Sequence, residues 1–450
     1  MDIIPGTQDV LGQLPRLKGY THLLLCFPAD DLSREATTEA LSKASHRLTV
    51  AFPWLAGQVV HQGVDRGCSG TFTVACYPQG EAPASILRVQ DQVDVCPPYE
   101  NLISTRGPSD LLDGALLSTE TSLPESYVES APAPVLTFTA SWIQDGVLLD
   151  CAAHHNMMDM GGIDQVLRLL AIALKGEDFP RTAIDVSNCD RLTVLPLLGP
   201  DEVRRDHSHF RCPSRLGMSL RPLPSGPPPS YHYFRFTAAN LAQLRALCAP
   251  NDPAIHPTST DDALSAFIWK RLSAHRLNQG QLPTSTTLFS RAVDCRRSLG
   301  VPKEYMGNMA MKTFSKMTFY SIDISPLSAI AIQLRQDVQK VRDTHQLRSL
   351  ATLIAEEPDK TTINVVPDFN PDTDINASSW VGVDAYHLEF GLLGKPTLIR
   401  RPKSKPVMGL LFFLPRTRGG DIDALLCLRD EEMQGLRSDR EWSRYAEYIG

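Results

Sequence analysis

The hydrophobic and polar positions of this chain change period most sharply near residue 160. Residues 135–143 (VLTFTASWI) are rich in β-branched and aromatic side chains, Gln144-Asp145-Gly146 supplies turn chemistry, and 147–153 is apolar again. This pattern predicts a β-hairpin. Beyond Gly161-Gly162 the spacing turns helical, with Ile163, Val166, Leu167, Leu170 and Leu174 on one stripe. Asp164 falls in the first turn, where a negative charge suits the helix dipole. Earlier, the apolar run 23–27 precedes Ser33, a helix N-cap, with Glu35 in the first turn. The helix that follows is expected to bury Ala36, Ala40, Leu41, Ala44 and Leu48. Phe52-Pro-Trp-Leu-Ala-Gly57 breaks the period, and a strand starts around 58–60. Residues 62–132 read as strands and loops without a legible order, and no internal repeat is visible.

From 176 to 230 the character changes. Prolines at 180, 196, 200, 213, 222, 224, 227, 228 and 229 deny the backbone donors and torsions that regular elements need. The pattern predicts two domains, 1–195 and 231–450, joined by a crossover linker, 196–230. The second domain opens with strand-like alternation from Tyr231, then a helix capped by Thr237 and carrying Leu241, Leu244 and Leu247. Hydroxyls at 258–260, acids at 261 and 262, and apolar residues at 264, 267, 268 and 272 predict another helix. A strand at 287–289, a helix over 327–347, strands at 363–366, 378–380, 410–414 and 421–428, and a polar terminal helix from 431 complete the pattern.

Composition acts mainly by exclusion. At 450 residues, 42% hydrophobic and 21% charged, the chain has the size and balance of two ordinary globular domains. A formal net charge of −7 argues against a nucleic-acid partner, which would demand a basic face. The N-terminus lacks the basic and apolar regions of a signal peptide, and no apolar run reaches the roughly 20 residues of a membrane span. A cytoplasmic enzyme with no membrane partner is therefore expected. The 10 cysteines lack regular spacing and read as reduced buried thiols.

The candidate chemistry lies at the break in period: His154-His155-Asn-Met-Met-Asp159-Met-Gly161-Gly162. A histidine at a strand end can be held rigidly with one edge facing a cleft, and glycines permit close approach of backbone or ligand. His155 then reads as a general base and Asp159 as a residue that shapes its loop. A pair of packed core histidines is the competing reading. No HExxH or CxxC spacing supports zinc, and no metal is expected.

Several separated segments agree on one family. They are Phe52–Gly57; His155-x-x-x-Asp159 with Gly161-Gly162; Ser259 through Trp269-Lys270; Val293-Asp294-Cys-Arg296-Arg297 with Tyr305-x-Gly307-Asn308; Ser378-Ser379-Trp380; and Glu389-Phe390-Gly391. Gly394-Lys395-Pro396, Arg400-Arg401-Pro402 and 428–433 follow, in order, over nearly the whole chain. The chain resembles the BAHD acyl-CoA-dependent acyltransferases, and within them the fungal branch that includes trichothecene 3-O-acetyltransferase. The resemblance implies an α/β protein of two chloramphenicol-acetyltransferase-like domains with mixed sheets and an active-site channel between them. Acyl-CoA would enter from one face and the acceptor from the other. A segment within roughly 370–395 would cross back to extend the first domain's sheet.

The resemblance also implies roles. His155 is the base that takes the acceptor's proton, and Ser378 faces the tetrahedral intermediate. Trp380 shapes the pocket wall. Asp159 points toward an arginine and orders the loop with Gly161, while Gly162 is a candidate for the substrate or CoA channel. The family's Asp-Phe-Gly-Trp-Gly stands here as Glu389-Phe390-Gly391-Leu392-Leu393-Gly394, so Glu389 is expected beside Arg296. Arg296, Arg297, Lys395, Arg400 and Arg401 are candidates for CoA phosphates, with solvated surface charge as the competing reading. For Ser378 and Trp380 the competing reading is strand packing. The implied reaction moves an acyl group, most simply acetyl, from acyl-CoA to a hydroxyl or amine of a fungal secondary metabolite, in a monomer without a resident cofactor. His154-His155-x-x-x-Asp159-x-Gly161 also resembles the HHxxxDG signature of condensation domains, which use carrier-protein thioesters. A non-acylating scaffold or cyclase of the same fold is the third reading.

Overall fold

The structure is a computed structural model describing residues 2–81, 83–120, 132–216, 226–250, 252, 256–366 and 369–450. Residues 121–131 of the unordered stretch and 217–225 of the linker, with prolines 222 and 224, lie outside the described residues.

The hairpin forms as expected. Strands Leu136–Ile143 and Gly146–His154 pair antiparallel, with Asp145 at φ 58° in the turn. Strand Tyr20–Pro28 pairs antiparallel with Gly146–His154 along its whole length, Tyr20 opposite His154. Leu87–Asp91 runs parallel to Leu136–Ile143 and closes one edge of a five-stranded sheet. Along Tyr20–Pro28 the side chains divide by parity. Leu23, Leu25 and Phe27 join the main core, while Leu24 and Cys26 pack under Leu102, Leu112 and Leu117 on the other face. Two helices cover the main face, Arg34–Ala51 and Met160–Leu174.

Leu41, Ala44 and Leu48 are buried there, each leucine worth about 1.5–3 kcal/mol. Ala36 is exposed and Ala40 only partly covered; Thr37 and Ser45 take the inward positions instead. The break at 52–57 is a single helical turn leading into strand Gln58–Asp65 of a small three-stranded sheet.

The second half builds a seven-stranded mixed sheet in the order Ala310–Thr318, Thr286–Asp294, Ile375–Ser379, Leu410–Phe413, Ile422–Leu428, Ser230–Phe236, Ala446–Tyr448. Ile375–Ser379 is parallel to both neighbours. One sheet face packs on helix Thr260–Asn278, whose start is a reciprocal capping box between Ser259 and Asp262. Ala238–Leu247 forms behind Thr237, but Leu247 is exposed.

Five sequence expectations need correction. The stretch 327–347 is two helices, Leu327–Val341 and Thr344–Glu356, because Asp343 caps the second by accepting from Gln346 N. Residues 363–366 form no strand; Ile363 makes one bridge, to Arg211. The terminal helix is also two, Asp430–Ser438 and Arg440–Tyr445, followed by the edge strand Ala446–Tyr448. The strand that extends the first sheet is Leu398–Arg400, paired with residues 24–26. Ile375–Ser379 stays in the second sheet, while Trp380, Val383, Tyr386, Phe390 and Leu393 pack into the first core. All the cysteines are free; Cys76 is exposed and Cys68, Cys189 and Cys212 partly so, contrary to uniform burial.

Candidate active site

Strand Gly146–His154 ends where His155 N donates to Gly19 O at 2.8 Å. The chain then turns, Met157 N and Met158 N both donating to His154 O. Within that turn His155 Nδ1 lies 3.2 Å from Met158 O. A carbonyl only accepts, so Nδ1 carries the proton and Nε2 keeps its lone pair. The ring is partly exposed and lines a cavity of about 2080 Å³ between the two sheets. Burial lowers its pKa, Asp159 opposes that, and Lys312 adds to the lowering. The neutral imidazole therefore dominates near neutral pH. His154 is different: fully packed against the Tyr20 ring edge, it is pushed down to about 3, mainly by burial.

Asp159 faces away from that ring. It caps helix Met160–Leu174 by accepting from Gly162 N (3.0 Å) and takes Met309 N at 2.8 Å. Its two oxygens also receive both ends of the Arg296 guanidinium, at 3.0 and 2.7 Å. Burial would raise its pKa, but Arg296 and the N–H donors outweigh that and hold it low. Arg296 further donates to Tyr305 O, Gly307 O and Asp294. This buried pair ties the end of the second sheet to helix Met160–Leu174.

The glycines make room for this clamp. A Cβ on Gly161 would stand 2.6 Å from Arg296 Nη1, and one on Gly162 2.2 Å from Met306 O. The loop they admit brings Asn308, whose amide donates to His155 O and Asn156 O at 3.0 and 3.1 Å. Asn308 N in turn donates to buried Asp9. Asp9 and the supporting bonds of Asn308 were not found from sequence, since nothing in their spacing links segments so far apart.

Glu389 is not beside Arg296. It is exposed and makes no hydrogen bond or ion pair with any described residue, and Asp159 and Asp294 fill the arginine's carboxylate positions. The cause is the placement of its neighbours. Phe390 packs on Phe27, and Gly391 sits against Leu174, at the far end of a 15-residue helix, about 20 Å from the Asp159 cap.

One face of the second sheet forms the opposite cavity wall. Alternate residues point into it: Ala310, Lys312 and Phe314; Ala292 and Asp294; Asn376 and Ser378; Leu410 and Phe412. Ser378 Oγ accepts from Trp380 Nε1 at 3.0 Å, which leaves its own hydroxyl proton free to donate into the cavity. Trp380 is buried against Phe412 and lines the same wall.

The basic candidates separate. Arg401 lines the cavity next to Lys403 and Lys405. Arg297 and Lys395 are exposed away from it. Arg400 is fully buried, bonded to Arg106 O, Gly107 O, Ile399 O and Asp423, and does not line the cavity, so no phosphate reaches it. Among the described lining residues there are ten lysines and arginines against five aspartates and glutamates, in a chain of net charge −7. Such a wall favours an anionic ligand.

Comparison with known proteins agrees with this geometry. Residues 19–173 match the model of the trichothecene 3-O-acetyltransferase-like N-terminal domain. O-acyltransferase pigD of Monascus ruber is 42% identical over 99% of both chains. Trichothecene 3-O-acetyltransferase TRI101 of Fusarium sporotrichioides is 34% identical, covering 98% of this chain and 96% of that one. The crystal structure of F. sporotrichioides TRI101 complexed with coenzyme A and T-2 superposes with a TM-score of 0.89, over 98% of this chain and 99% of the other. Vinorine synthase, at 17% identity and a TM-score of 0.67, shares the fold. The chain belongs to the fungal O-acyltransferases of the trichothecene 3-O-acetyltransferase type, a BAHD-like family.

Proposed function

We propose that this protein transfers an acyl group, acetyl in the simplest case, from acyl-CoA directly to a hydroxyl of a small secondary metabolite, with His155 as general base. The observation that carries this reading is that His155 lines the cavity while its Nδ1 is taken up by Met158 O, which leaves Nε2 as the nitrogen able to accept a proton. The volume supports it too. Ordinary ligand pockets span about 300–1,000 Å³, and a space of 2080 Å³ accommodates donor and acceptor together. The basic wall suits CoA, and a relative of 34% identity binds CoA and T-2.

In this mechanism the acceptor's O–H proton passes to Nε2 as the oxygen attacks the thioester carbon. The oxyanion of the tetrahedral intermediate receives the Ser378 hydroxyl proton as a hydrogen bond. The C–S bond then breaks, and the imidazolium returns its proton to the leaving thiolate. An amine acceptor would follow the same steps. Asp159 moves no proton; it holds the turn that holds the ring. The thioester is already activated, so proximity in a ternary complex replaces an acyl-enzyme. The chain acts as a cytoplasmic monomer, divided at 1–195, 196–230 and 231–450, with the segment from Trp380 to Arg400 returning to the first unit. Among the described residues no helix is long and apolar enough to cross a membrane.

The test is release of free CoA thiol from acetyl-CoA by the purified protein with a panel of fungal metabolite alcohols, products being read by mass spectrometry. Thiol release matched by acetylated alcohol supports the reading. Its absence across acetyl- and longer acyl-CoAs defeats it.

A further inference from the structure

The cavity wall carries one charge that the transfer chemistry leaves unused. Lys312 stands on strand Ala310–Thr318 opposite Ala292, and its Nζ donates at 2.8 Å to Asn376 Oδ1, two residues before Ser378. Both side chains line the cavity. Among the described residues no carboxylate pairs with Lys312, and the charge that acts on it, Arg16, is also positive. Burial, with Arg16 second, pushes its pKa down to about 7. An ammonium has three donors, and Asn376 fills one.

Lys312 is partly covered on the cavity wall, and a half-desolvated cation without a counter-charge carries a cost. That cost falls when a ligand brings the missing oxygen. The site of the ligand follows from position. Lys312 and His155 line the same cavity, and Lys312 is bonded to Asn376 on the strand that carries Ser378, so it stands on the wall beside that serine. The phosphates of CoA lie a full pantetheine arm away from the thioester, and the cations of the 401–405 loop remain for them.

We propose that Lys312, steadied by Asn376, is a positioning residue that binds an acidic oxygen, carboxylate, phenolate or enolate, carried by the acceptor near the hydroxyl to be acylated. This deepens the acyl-transfer reading and rests on it. The lysine charge selects acceptors with such an oxygen and sets the angle at which the hydroxyl meets His155. Apolar neighbours Ala292, Ala310 and Phe314 accept the ring or chain that carries both groups.

The experiment is calorimetric titration of the whole protein with two matched probes, 2-naphthoate and its neutral amide, and with CoA. It compares wild type, Lys312→Met, Lys312→Gln and Lys312→Arg, each checked for an unchanged melting temperature. Naphthoate is expected to bind at least tenfold more weakly to the Met and Gln variants and to recover in part in the Arg variant. The amide and CoA are expected to bind all four alike. Equal weakening of both probes, no naphthoate binding by the wild type, or a loss of CoA affinity on replacing Lys312 would overturn the proposal. Failure of wild type to bind CoA at all would instead defeat the acyl-transfer reading and the proposal with it.

Discussion

Asp159 and Arg296, 137 residues apart, meet in a two-point buried ion pair, at 3.0 and 2.7 Å. The aspartate four residues after His155 therefore acts on the backbone that carries the ring. Each partner has further bonds, to Gly162 N and Met309 N on one side and to two carbonyls on the other. The pair fixes the turn 155–159 against the second sheet.

Breaking one side of such a pair leaves a buried charge uncompensated. Asp159→Asn is expected to destabilise the fold by about 3–5 kcal/mol, read as a lower midpoint in urea. Arg296→Met should cost a similar amount, and the double variant less than the sum. Additive losses would show that the pair does not act as a unit.

The glycines report on the same close approach. Gly162→Ala must displace the Met306 carbonyl, which a Cβ would reach at 2.2 Å, whereas Gly161→Ala meets a guanidinium at 2.6 Å. The first is expected to lower stability by about 1–3 kcal/mol, and the second by less, since a side-chain tip yields more easily than backbone. Thermal unfolding of the two variants checks the order.

The order of elements was legible because the period changes from 2 to 3.6 between His154 and Ile163, and the structure turns there. Lost were features that period does not encode. The stripe across 327–347 runs on through Asp343, although that residue caps a new helix. An apolar run at 363–366 looks like a strand but finds one partner only. In the site, His155 was legible from its place at a strand end. The pairing of Arg296 was assigned to Glu389 because the resemblance pairs the acid of that segment with the arginine of 293–297; packing at Phe390 and Gly391 holds Glu389 elsewhere. Lys312 was not found from sequence: it is one charge in AMKTF, and nothing local says which face of that strand is wet.

Ser378 should separate from the structural residues. Ser378→Ala is expected to reduce kcat about 10²- to 10³-fold with little change in melting temperature. An unchanged kcat would return Ser378 to plain wall packing.

The pH dependence has a definite sign. Burial lowers the pKa of His155 from 6.5, so the acid limb of kcat/KM should fall off below that value; a midpoint above 6.5 would contradict it. His154, at about 3, stays neutral in the fold while the unfolded chain takes up a proton. Its contribution to stability is present above pH 6.5 and lost as pH falls toward 3. Asp9, raised from 3.8 to about 6 by burial, contributes in the opposite sense, present below 3.8 and lost as pH rises through 6. His154→Gln should flatten the slope of stability between pH 6.5 and 3, measured by urea midpoints across that range.

The most direct measurement is single-turnover acyl transfer from acetyl-CoA by wild type and His155→Ala, with CoA affinity and melting temperature taken on the same samples. The rate of the variant is expected to fall at least about 10²-fold, while CoA still binds and the fold survives. Transfer at an undiminished rate, with both proteins folded and CoA bound, would contradict the assignment of His155 as the base.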